Sequence, residues 1–343
     1  MPQSAFQTPS TPVDERPLWD LIFGLLAYRA VLVAHHLSLF PLLAEQPRTL
    51  TDICEALQIA RRPARALLTT CVASGLLTAD EERYALTPLA KAYLLASSPT
   101  YFGGFFDLLL ANDAVFSFES VKQAVCTNTA QVYSGEELFK SHEAQAALAR
   151  AFTRGMHGHS AGAAFAWPAT VDLAGHHMLL DVGGGSGIHA IGAVRAWPHL
   201  QAIVFDLPPV CEVTSEVVAQ HGLHQQIKTC AGDWWHDPFP PADVHFYADI
   251  YHDWPPDTCR FLARKSFESL PPGGSIMLHE MLYNTDKTGP LSAAAYSVAM
   301  LLWTEGQQYS GRELAALLAE AGFVDITITP TFGYWSLVMG RKR

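Results

Sequence analysis

Apolar residues in the first hundred positions recur mostly at helical spacing. This pattern predicts a long helical segment that bends or ends at Pro41, two shorter helices, and a hairpin with an acidic turn at 80–82. The predicted bounds are 18–43, 53–57 and 60–75 for the helices, and 76–78 and 83–87 for the two strands of the hairpin. Elements in this order are typical of a winged-helix unit.

From residue 173 to the end, short apolar runs alternate with helical patterns. Strands are predicted at 179–182, 202–205, 227–230, 244–248 and 275–278. Helices are predicted at 188–194, 213–221, 258–270 and 311–321, and a closing hairpin at 324–340. This alternation predicts an α/β fold with a mostly parallel, doubly wound Rossmann-like sheet, whose ligands bind at the carboxyl ends of the strands.

The segment 100–167 is helical and rich in aromatic residues, and it connects the two patterns. A length of 343 residues suits two domains, and 49% hydrophobic with 16% charged residues is typical of a folded globular protein. The predicted segments are a disordered lead-in over 1–16, a winged-helix domain over 17–98, a helical linker over 99–172 and an α/β domain over 173–343.

The net charge of −11 disfavours nucleic acid as a partner, because the phosphates would repel the protein. Arg61, Arg62 and Arg65 on the second short helix are the residues that would favour DNA binding by a winged helix. The acidic turn of the hairpin argues against that function. We therefore interpret the N-terminal unit as a dimerisation and packing module.

Cysteine usage and the N-terminal residues indicate the cellular compartment. The six cysteines are widely spaced without a Cys-x-x-Cys pair, which is typical of reduced thiols in a cytosolic protein. The first 17 residues lack the basic start and apolar run of a signal peptide. The apolar stretch 21–33 is interrupted by Gly24, Tyr28 and Arg29, so we expect no membrane span and a cytoplasmic protein.

The most informative stretch is a glycine-rich turn between a predicted strand and a predicted helix. Asp181 is followed by Gly183, Gly185 and Gly187. Glycine suits such a turn because the backbone must adopt positive φ and a ligand must approach it closely. The dinucleotide fingerprint is disfavoured, because its third glycine position holds Ile188. A dinucleotide-dependent oxidoreductase and a glycine turn without a ligand are the alternatives.

Acidic residues follow the next two strands. Asp206, followed by Leu207, ends the second strand, where a carboxylate can accept hydrogen bonds from both hydroxyls of a ribose. Asp233 and Trp234 follow the third strand, where the acid is placed to meet an adenine amino group and the ring to cover its face. A surface aspartate without a role at 206, and a turn-forming aspartate at 233, are the alternatives.

A histidine and a glutamate end the fourth and fifth strands. His252 lies where substrates bind, and the ordinary pKa of histidine suits removal of a hydroxyl proton near neutral pH. If the two strands are neighbours, the Glu280 carboxylate can orient the imidazole and favour its charged form. A structural histidine and a buried or capping acid are the alternatives.

These motifs, taken in order, resemble the small-molecule O-methyltransferases of the caffeic acid and acetylserotonin type, with their bacterial polyketide and phenazine relatives. The acid-x-Gly-x-Gly-x-Gly pattern is similar to the first motif of S-adenosylmethionine-dependent methyltransferases. The matching motifs are LDVGGGSG at 180–187, FDLP at 205–208, GD at 232–233, HDW at 252–254, LPPGG at 270–274 and AGF at 321–323. The segment FTRGMHGHS at 152–160 resembles the one that lines the family's pocket.

The resemblance implies methyl transfer from S-adenosylmethionine, leaving S-adenosylhomocysteine, to a hydroxyl of a small aromatic or conjugated metabolite. It implies a homodimer, a role in secondary metabolism, His252 as the base with Glu280 beside it, and Asp206 and Asp233 as cofactor ligands. The residues that we predict to line the acceptor pocket, each with core packing as an open alternative, are Met156, His159, Phe165, Trp167, Met300 and Trp303.

Two positions depart from the family pattern. Gln308 stands where many plant members have a second glutamate beside the histidine, and Ala248 stands where a lysine is often found. One carboxylate partner for His252 is therefore expected. C-methylation, other chemistry with bound cofactor, and a binding-only module are the alternatives to O-methylation. We expect no metal site, because the paired histidines at 35–36 and 176–177 lack familiar ligand spacing.

Overall fold

The computed structural model describes residues 13–132 and 143–343, and the chain divides into two compact units, Met1–Gly103 and Gly104–Arg343. The predicted lead-in over 1–16 lies mostly outside the described residues, and the first helix begins at Arg16. The boundaries predicted at 98 and 172 stay predictions.

The N-terminal unit contains short helices and a three-stranded sheet in the order β1-β3-β2. Its elements are α1 (Arg16–His36), α2 (Leu39–Leu42), β1 (Arg48–Thr49), α3 (Leu50–Leu57), α4 (Arg61–Ala73), β2 (Leu77–Asp80), β3 (Arg83–Leu86) and α5 (Pro88–Tyr93). Thr49 begins α3 with a capping box, since its side chain accepts a hydrogen bond from the Asp52 amide and the Asp52 carboxylate accepts one in return. The hairpin β2–β3 confirms the predicted wing.

Helix α1 is shorter than predicted, because the chain leaves the helix at Ser38, which has a left-handed φ of 58°. Its 21 residues are long and apolar enough to cross a membrane by length and composition, which the sequence analysis did not expect. Among the described residues it is the one helix that passes this test. Its most exposed large apolar side chains, each at least half exposed, are Leu18, Leu21, Ile22, Phe23, Leu25 and Leu26.

The C-terminal unit alternates strands and helices after a helical segment. The helices are α6 (Gly103–Ala111), α7 (Phe118–Thr127), α8 (Glu143–Ala164), α9 (Ile188–Ala196), α10 (Pro208–Gln220), α11 (Pro256–Ser269), α12 (Leu291–Trp303) and α13 (Gly311–Ala321). The strands are β4 (Met178–Val182), β5 (Gln201–Asp206), β6 (Ile227–Ala231), β7 (Val244–Ala248), β8 (Ser275–Met281), β9 (Val324–Phe332) and β10 (Trp335–Arg341). Helix α10 begins five residues earlier than predicted, because proline is well tolerated in a first helical turn.

The C-terminal strands form one seven-stranded sheet in the order β6-β5-β4-β7-β8-β10-β9. The first five are parallel, and β10 pairs antiparallel with β8 and with β9. Successive side chains of a strand point to opposite faces, so Leu179 lies in one hydrophobic cluster and Leu180 in the other. This mostly parallel sheet confirms the predicted fold class and brings the carboxyl ends of β4 to β8 to one edge.

Candidate active site

The glycine-rich turn after β4 has the backbone that its sequence predicts. Gly183, Gly185 and Gly187 have positive φ values of 66°, 56° and 75°, a region that favours glycine. A Cβ on Gly184 would lie 2.5 Å from the Cγ atom of Asp181, whereas a Cβ on Gly185 would meet nothing within 4 Å. The turn is therefore closed on the side of Asp181 and open above Gly185, where a ligand can contact the backbone.

Asp181 lies beneath this turn, fully buried. Its Oδ2 atom accepts a hydrogen bond from the amide of Ala190 at 3.3 Å, and its Oδ1 atom has no partner within residues 13–132 and 143–343. Burial raises the pKa of Asp181 to about 7. The Asp181 carboxyl thus lies where it can stabilise the glycine-rich turn from below.

Asp206 reaches the same turn from the end of β5. Its Oδ2 atom accepts the Gly185 amide at 2.9 Å and its Oδ1 atom accepts the amide of Leu207 at 2.7 Å. Burial raises the pKa of Asp206 to about 6, and these two hydrogen bonds act in the opposite direction. The acid and the turn thus form one cradle, and the carboxylate oxygens keep lone pairs for a further donor.

Asp233 and Trp234 follow β6 and behave differently from one another. Asp233 forms a turn, since its Oδ1 atom accepts the amide of Trp235 at 2.9 Å. A Cβ on Gly183 would lie 3.2 Å from the Trp234 ring, so that ring stands against the glycine turn. The indole N–H of Trp234 is buried and has no hydrogen-bond partner among the residues that the structure describes. The two side chains therefore suit a ligand with a flat, polar ring, bound beside the glycine turn.

His252 and Glu280 meet at the ends of two neighbouring strands. Strands β7 and β8 pair with Ala248 opposite His279, which places Glu280 beside the loop that carries His252. The Nδ1 atom of His252 lies 2.7 Å from Oε2 of Glu280, and both side chains are almost fully buried. The other oxygen of Glu280 accepts the amides of Ile250 and Tyr251 at 3.1 and 2.8 Å. The pair is rigid, and it leaves the Nε2 atom of His252 for a proton.

Two further carboxylates lie near the same imidazole. Oδ1 of Asp253 is 3.6 Å from Nε2 of His252, and Oδ1 of Asp249 is 3.9 Å from Nδ1. Burial lowers the pKa of His252, but Glu280, Asp253 and Asp249 outweigh it and raise the pKa to about 10. For the Asp253 carboxyl, burial has the opposite effect and raises the pKa to about 7. The expectation of a single carboxylate partner is therefore wrong.

His159 joins this cluster from α8, which the sequence analysis expected only as a pocket residue. Its Nδ1 atom is 3.6 Å from Oδ2 of Asp249, and its Nε2 atom is 3.5 Å from the hydroxyl of Tyr296 on α12. Trp335 of β10 donates its indole N–H to Oδ1 of Asp249 at 3.1 Å. The Tyr296 ring stands edge-on to the His252 ring at 5.2 Å.

Sequence reasoning missed three members of this cluster. Asp249 directly follows a predicted strand, and an acid at a strand end is a pattern from which this residue could have been predicted. Tyr296 and Trp335 lie on a helix and a strand far along the chain, and no local pattern marks them. His157 was also missed, and its Nδ1 atom lies 2.9 Å from the hydroxyl of Ser186 in the glycine turn.

The other predicted pocket residues separate into two groups. Trp167 is fully buried and stacks on Phe246 at 4.4 Å in the core beneath the sheet, and Phe165 packs against the same cluster. These contacts account for the packing of both side chains, and their assignment to the pocket stays a prediction. Met300 and Trp303 lie on α12, the helix of Tyr296, and Met156 lies one turn before His159 on α8. These three stay candidates for the pocket.

The loop that carries Gln308 packs directly on the histidine loop. A Cβ on Gly306 would overlap the carbonyl oxygen of His252 and the backbone of Asp253. Gln308 is fully buried, and neither the nitrogen nor the oxygen of its side-chain amide has a hydrogen-bond partner among the described residues. Position 308 therefore adds a neutral group, as its residue type predicts.

The ligand atoms of Asp249, His252 and Glu280 lie within 4.8 Å of one another, the one such group among the described residues. The 2.7 Å distance between Nδ1 of His252 and Oε2 of Glu280 is that of a hydrogen bond. We therefore interpret the group as an acid–base cluster.

A mostly parallel sheet with a glycine turn after its first strand and acids at the next strand ends is typical of doubly wound α/β proteins that bind a nucleotide-like ligand. The profile of the O-methyltransferase domain matches residues 118–324, and that of the O-methyltransferase dimerisation domain matches 19–96. The chain belongs to this O-methyltransferase family. The match to the dimerisation domain includes most of α1, and it supports a homodimer.

Relatives over nearly the whole chain agree with this assignment. A 3-hydroxy-5-methyl-1-naphthoate 3-O-methyltransferase of Streptomyces sahachiroi is 34% identical over 320 residues, 93% of this chain and 92% of that protein. A tetracenomycin polyketide synthesis 8-O-methyl transferase of Streptomyces glaucescens is 31% identical, over 98% of this chain and 99% of that protein. The resemblance stated from the sequence is confirmed.

Among solved structures, human N-acetylserotonin methyltransferase in complex with S-adenosylmethionine superimposes with a TM-score of 0.85. It is 26% identical and covers 98% of this chain and 99% of its own. The family is dependent on S-adenosylmethionine, and the predicted cofactor is confirmed. The open turn above Gly185, the Asp206 carboxylate and the Trp234 ring fit its ribose and adenine.

Proposed function

We propose that the protein transfers the methyl group of S-adenosylmethionine to a hydroxyl of a small aromatic or conjugated metabolite, with His252 as general base. The observation that carries this proposal is the buried pair of His252 and Glu280 at the sheet edge that also holds the glycine turn. The naphthoate and tetracenomycin enzymes among the relatives support an aromatic acceptor made in secondary metabolism.

Residues around the glycine turn bind the cofactor in this proposal. Asp206 accepts hydrogen bonds from the ribose hydroxyls, beside the backbone of Gly185 and of Leu207. Trp234 covers the adenine, and Asp233 accepts a hydrogen bond at its edge while its other oxygen keeps the turn. Asp181 acts from below by fixing the shape of the turn, together with Gly183 and Gly187.

His252 removes the proton of the acceptor hydroxyl through its Nε2 atom. Glu280 holds Nδ1 and stabilises the imidazolium that forms. When bound, S-adenosylmethionine would supply the methyl group, carried on a positively charged sulfonium. Burial opposes the charged form of the His252 imidazole, whereas the carboxylate of Glu280 favours it.

The acceptor lies in a mainly apolar pocket between α8 and α12. Met156, Met300 and Trp303 supply apolar surface, and His159 supplies a polar contact. Holding the oxygen and the methyl carbon near contact distance for in-line attack supplies much of the rate. We further propose a cytoplasmic enzyme, because the cysteines lack disulfide-like spacing.

The test combines product identification with one substitution. Purified protein is incubated with S-adenosylmethionine and a panel of phenols, indoles, phenazines and polyketide aromatics, and products are identified by mass and NMR. We expect an O-methylated product, and a loss of kcat of about 10²- to 10⁴-fold in His252→Ala. Binding of S-adenosylhomocysteine, measured by calorimetry, should be nearly unchanged.

His224→Ala, a change of an exposed histidine, is the matched control and should keep wild-type turnover. His252→Ala with more than half of wild-type turnover would show that His252 is not the base. A methyl group on carbon would favour the C-methylating alternative. Tight cofactor binding without any turnover would favour a member of the family that uses the cofactor differently.

A further inference from the structure

Asp249 is a buried acid that the proposed function does not use. It follows β7 directly, is 8% exposed, and has a left-handed φ of 53°. Aspartate and asparagine tolerate this conformation better than most residues. Its amide donates to the carbonyl of His279 at 3.1 Å, which fixes the backbone against β8. The carboxylate is therefore held at one defined place.

Contacts from two other elements hold the side chain of Asp249. The indole N–H of Trp335 donates to Oδ1 at 3.1 Å, and Nδ1 of His159 lies 3.6 Å from Oδ2. The Trp335 and His159 rings pack edge to face at 5.4 Å, which supports both contacts. Strand β10 and helix α8 thus direct this carboxylate toward His252, whose Nδ1 is 3.9 Å away.

The charge that Asp249 brings is not duplicated by position 308. Gln308 is neutral and buried, and its side-chain amide has no hydrogen-bond partner in the part of the chain that the structure describes. The rings of Tyr296 and His252 make a T-shaped contact. Burial lowers the pKa of His159, so His159 adds little positive charge near neutral pH. The carboxylates that face His252 are Glu280, Asp253 and Asp249.

We propose that Asp249 is a positioning residue that supplies a second negative charge on the Nδ1 side of His252, supplementing Glu280 where position 308 carries no charge. The inference rests on the proposed role of His252 as the base. Asp249 stabilises the protonated imidazole across 3.9 Å and contacts His159 through its other oxygen.

The two groups support each other's charged forms. Burial raises the pKa of the Asp249 carboxyl, and His159 and His252 act in the opposite direction. Protonation of His252 therefore favours ionisation of Asp249, and the negative charge of Asp249 favours protonation of His252. Removing this charge makes His252 a weaker base.

The test measures the titration of His252 directly. Ring ¹⁵N–¹H spectra of cofactor-free, ¹⁵N-histidine-labelled protein are recorded against pH, and the His252 signal is assigned by its loss in His252→Gln. In Asp249→Asn, which suits the left-handed backbone, we expect the pKa of His252 to fall by about one unit. Asp249→Gly removes the same charge at a φ that glycine accepts, and gives a second measurement if the asparagine variant does not fold.

Asp172→Asn, which removes an exposed carboxylate, is the matched control. We expect its His252 pKa to stay near that of the wild type. An unchanged pKa in Asp249→Asn, or an equal fall in Asp172→Asn, would overturn the proposal. The titration needs no turnover, so failure of the proposed O-methylation would appear separately, as the absence of an O-methylated product.

Discussion

Glu280 holds His252 from the neighbouring parallel strand, with Oε2 at 2.7 Å from Nδ1 and Oε1 on the backbone amides of the histidine loop. One carboxylate thus fixes both the ring and the loop that carries it. The register of β7 and β8 places the two residues together, although they are 28 positions apart in the chain.

Glu280→Gln should lower kcat strongly while leaving the fold intact. The amide can still accept the two backbone N–H groups, but it no longer stabilises an imidazolium and it presents a donor to Nδ1. We expect a loss of about 10²- to 10⁴-fold in kcat and a lower pKa of His252. Steady-state kinetics and the histidine titration check both, and an unchanged kcat would exclude Glu280 as partner of the base.

Asp206→Asn should weaken cofactor binding more than it weakens the fold. The asparagine oxygen can still accept the Gly185 amide, but charge-assisted bonds to ribose hydroxyls are lost. We expect affinity for S-adenosylhomocysteine to fall by about tenfold or more in calorimetry. Asp172→Asn, at an exposed turn, is the control, and equal affinities in the two variants would contradict the assignment.

Gly306→Ala should displace the histidine loop. The new Cβ would overlap the carbonyl oxygen of His252, so the two loops must separate. We expect the free energy of unfolding to fall by about 1–3 kcal/mol and kcat to fall with it. Gly175→Ala, where a Cβ meets nothing within 4 Å, should change neither. Denaturant unfolding and kinetics measure both, and wild-type behaviour of Gly306→Ala would contradict this packing.

Leu25→Glu should dissociate the homodimer. Leu25 is 58% exposed on the apolar surface of α1, within the match to the dimerisation domain, and a carboxylate buried in an apolar interface is costly. Light scattering should give a dimer for the wild type and a monomer for the variant. Leu291→Glu, at a 73% exposed leucine of α12, should stay dimeric. A dimeric Leu25→Glu would place the interface elsewhere.

Asp181 should make the cofactor-free protein less stable as pH rises. Its pKa rises from 3.8 to about 7 on folding, so between these values the folded protein keeps a proton that the unfolded chain has released. Its contribution to stability is complete below pH 3.8 and decreases toward pH 7 by up to about 1.4 kcal/mol per pH unit. The difference in unfolding free energy between wild type and Asp181→Asn should therefore fall over this range.

Urea unfolding at several pH values measures that difference, with Asp172→Asn as the exposed control. If the difference in unfolding free energy between wild type and Asp181→Asn does not change with pH, burial does not raise the pKa of Asp181.

The local pattern of apolar and polar residues predicted the strands and helices of the sheet domain well. Hydrophobic periodicity marks each element, and glycine and proline mark its ends. Strand β7 and helix α13 have the predicted bounds. Proline and left-handed residues changed helix ends: α10 begins at Pro208, and α1 ends before Ser38. Helix α12 was not predicted as an element, because it is apolar on most sides and shows no helical periodicity of polar residues.

The sequence by itself determined the α/β class, the glycine turn and the acids at the strand ends, because parallel strands bring their carboxyl ends to one edge whatever the details of packing. It also placed His252 and Glu280 together, once the two strands are neighbours. Only the tertiary structure decided which side chains from distant elements meet there. Asp249, His159 and Trp335 come together because α8 and β10 pack around the end of β7, and Trp167 belongs to the core because its ring stacks on Phe246. Periodicity sets the face on which a residue lies, whereas side-chain distances between elements depend on how those elements pack.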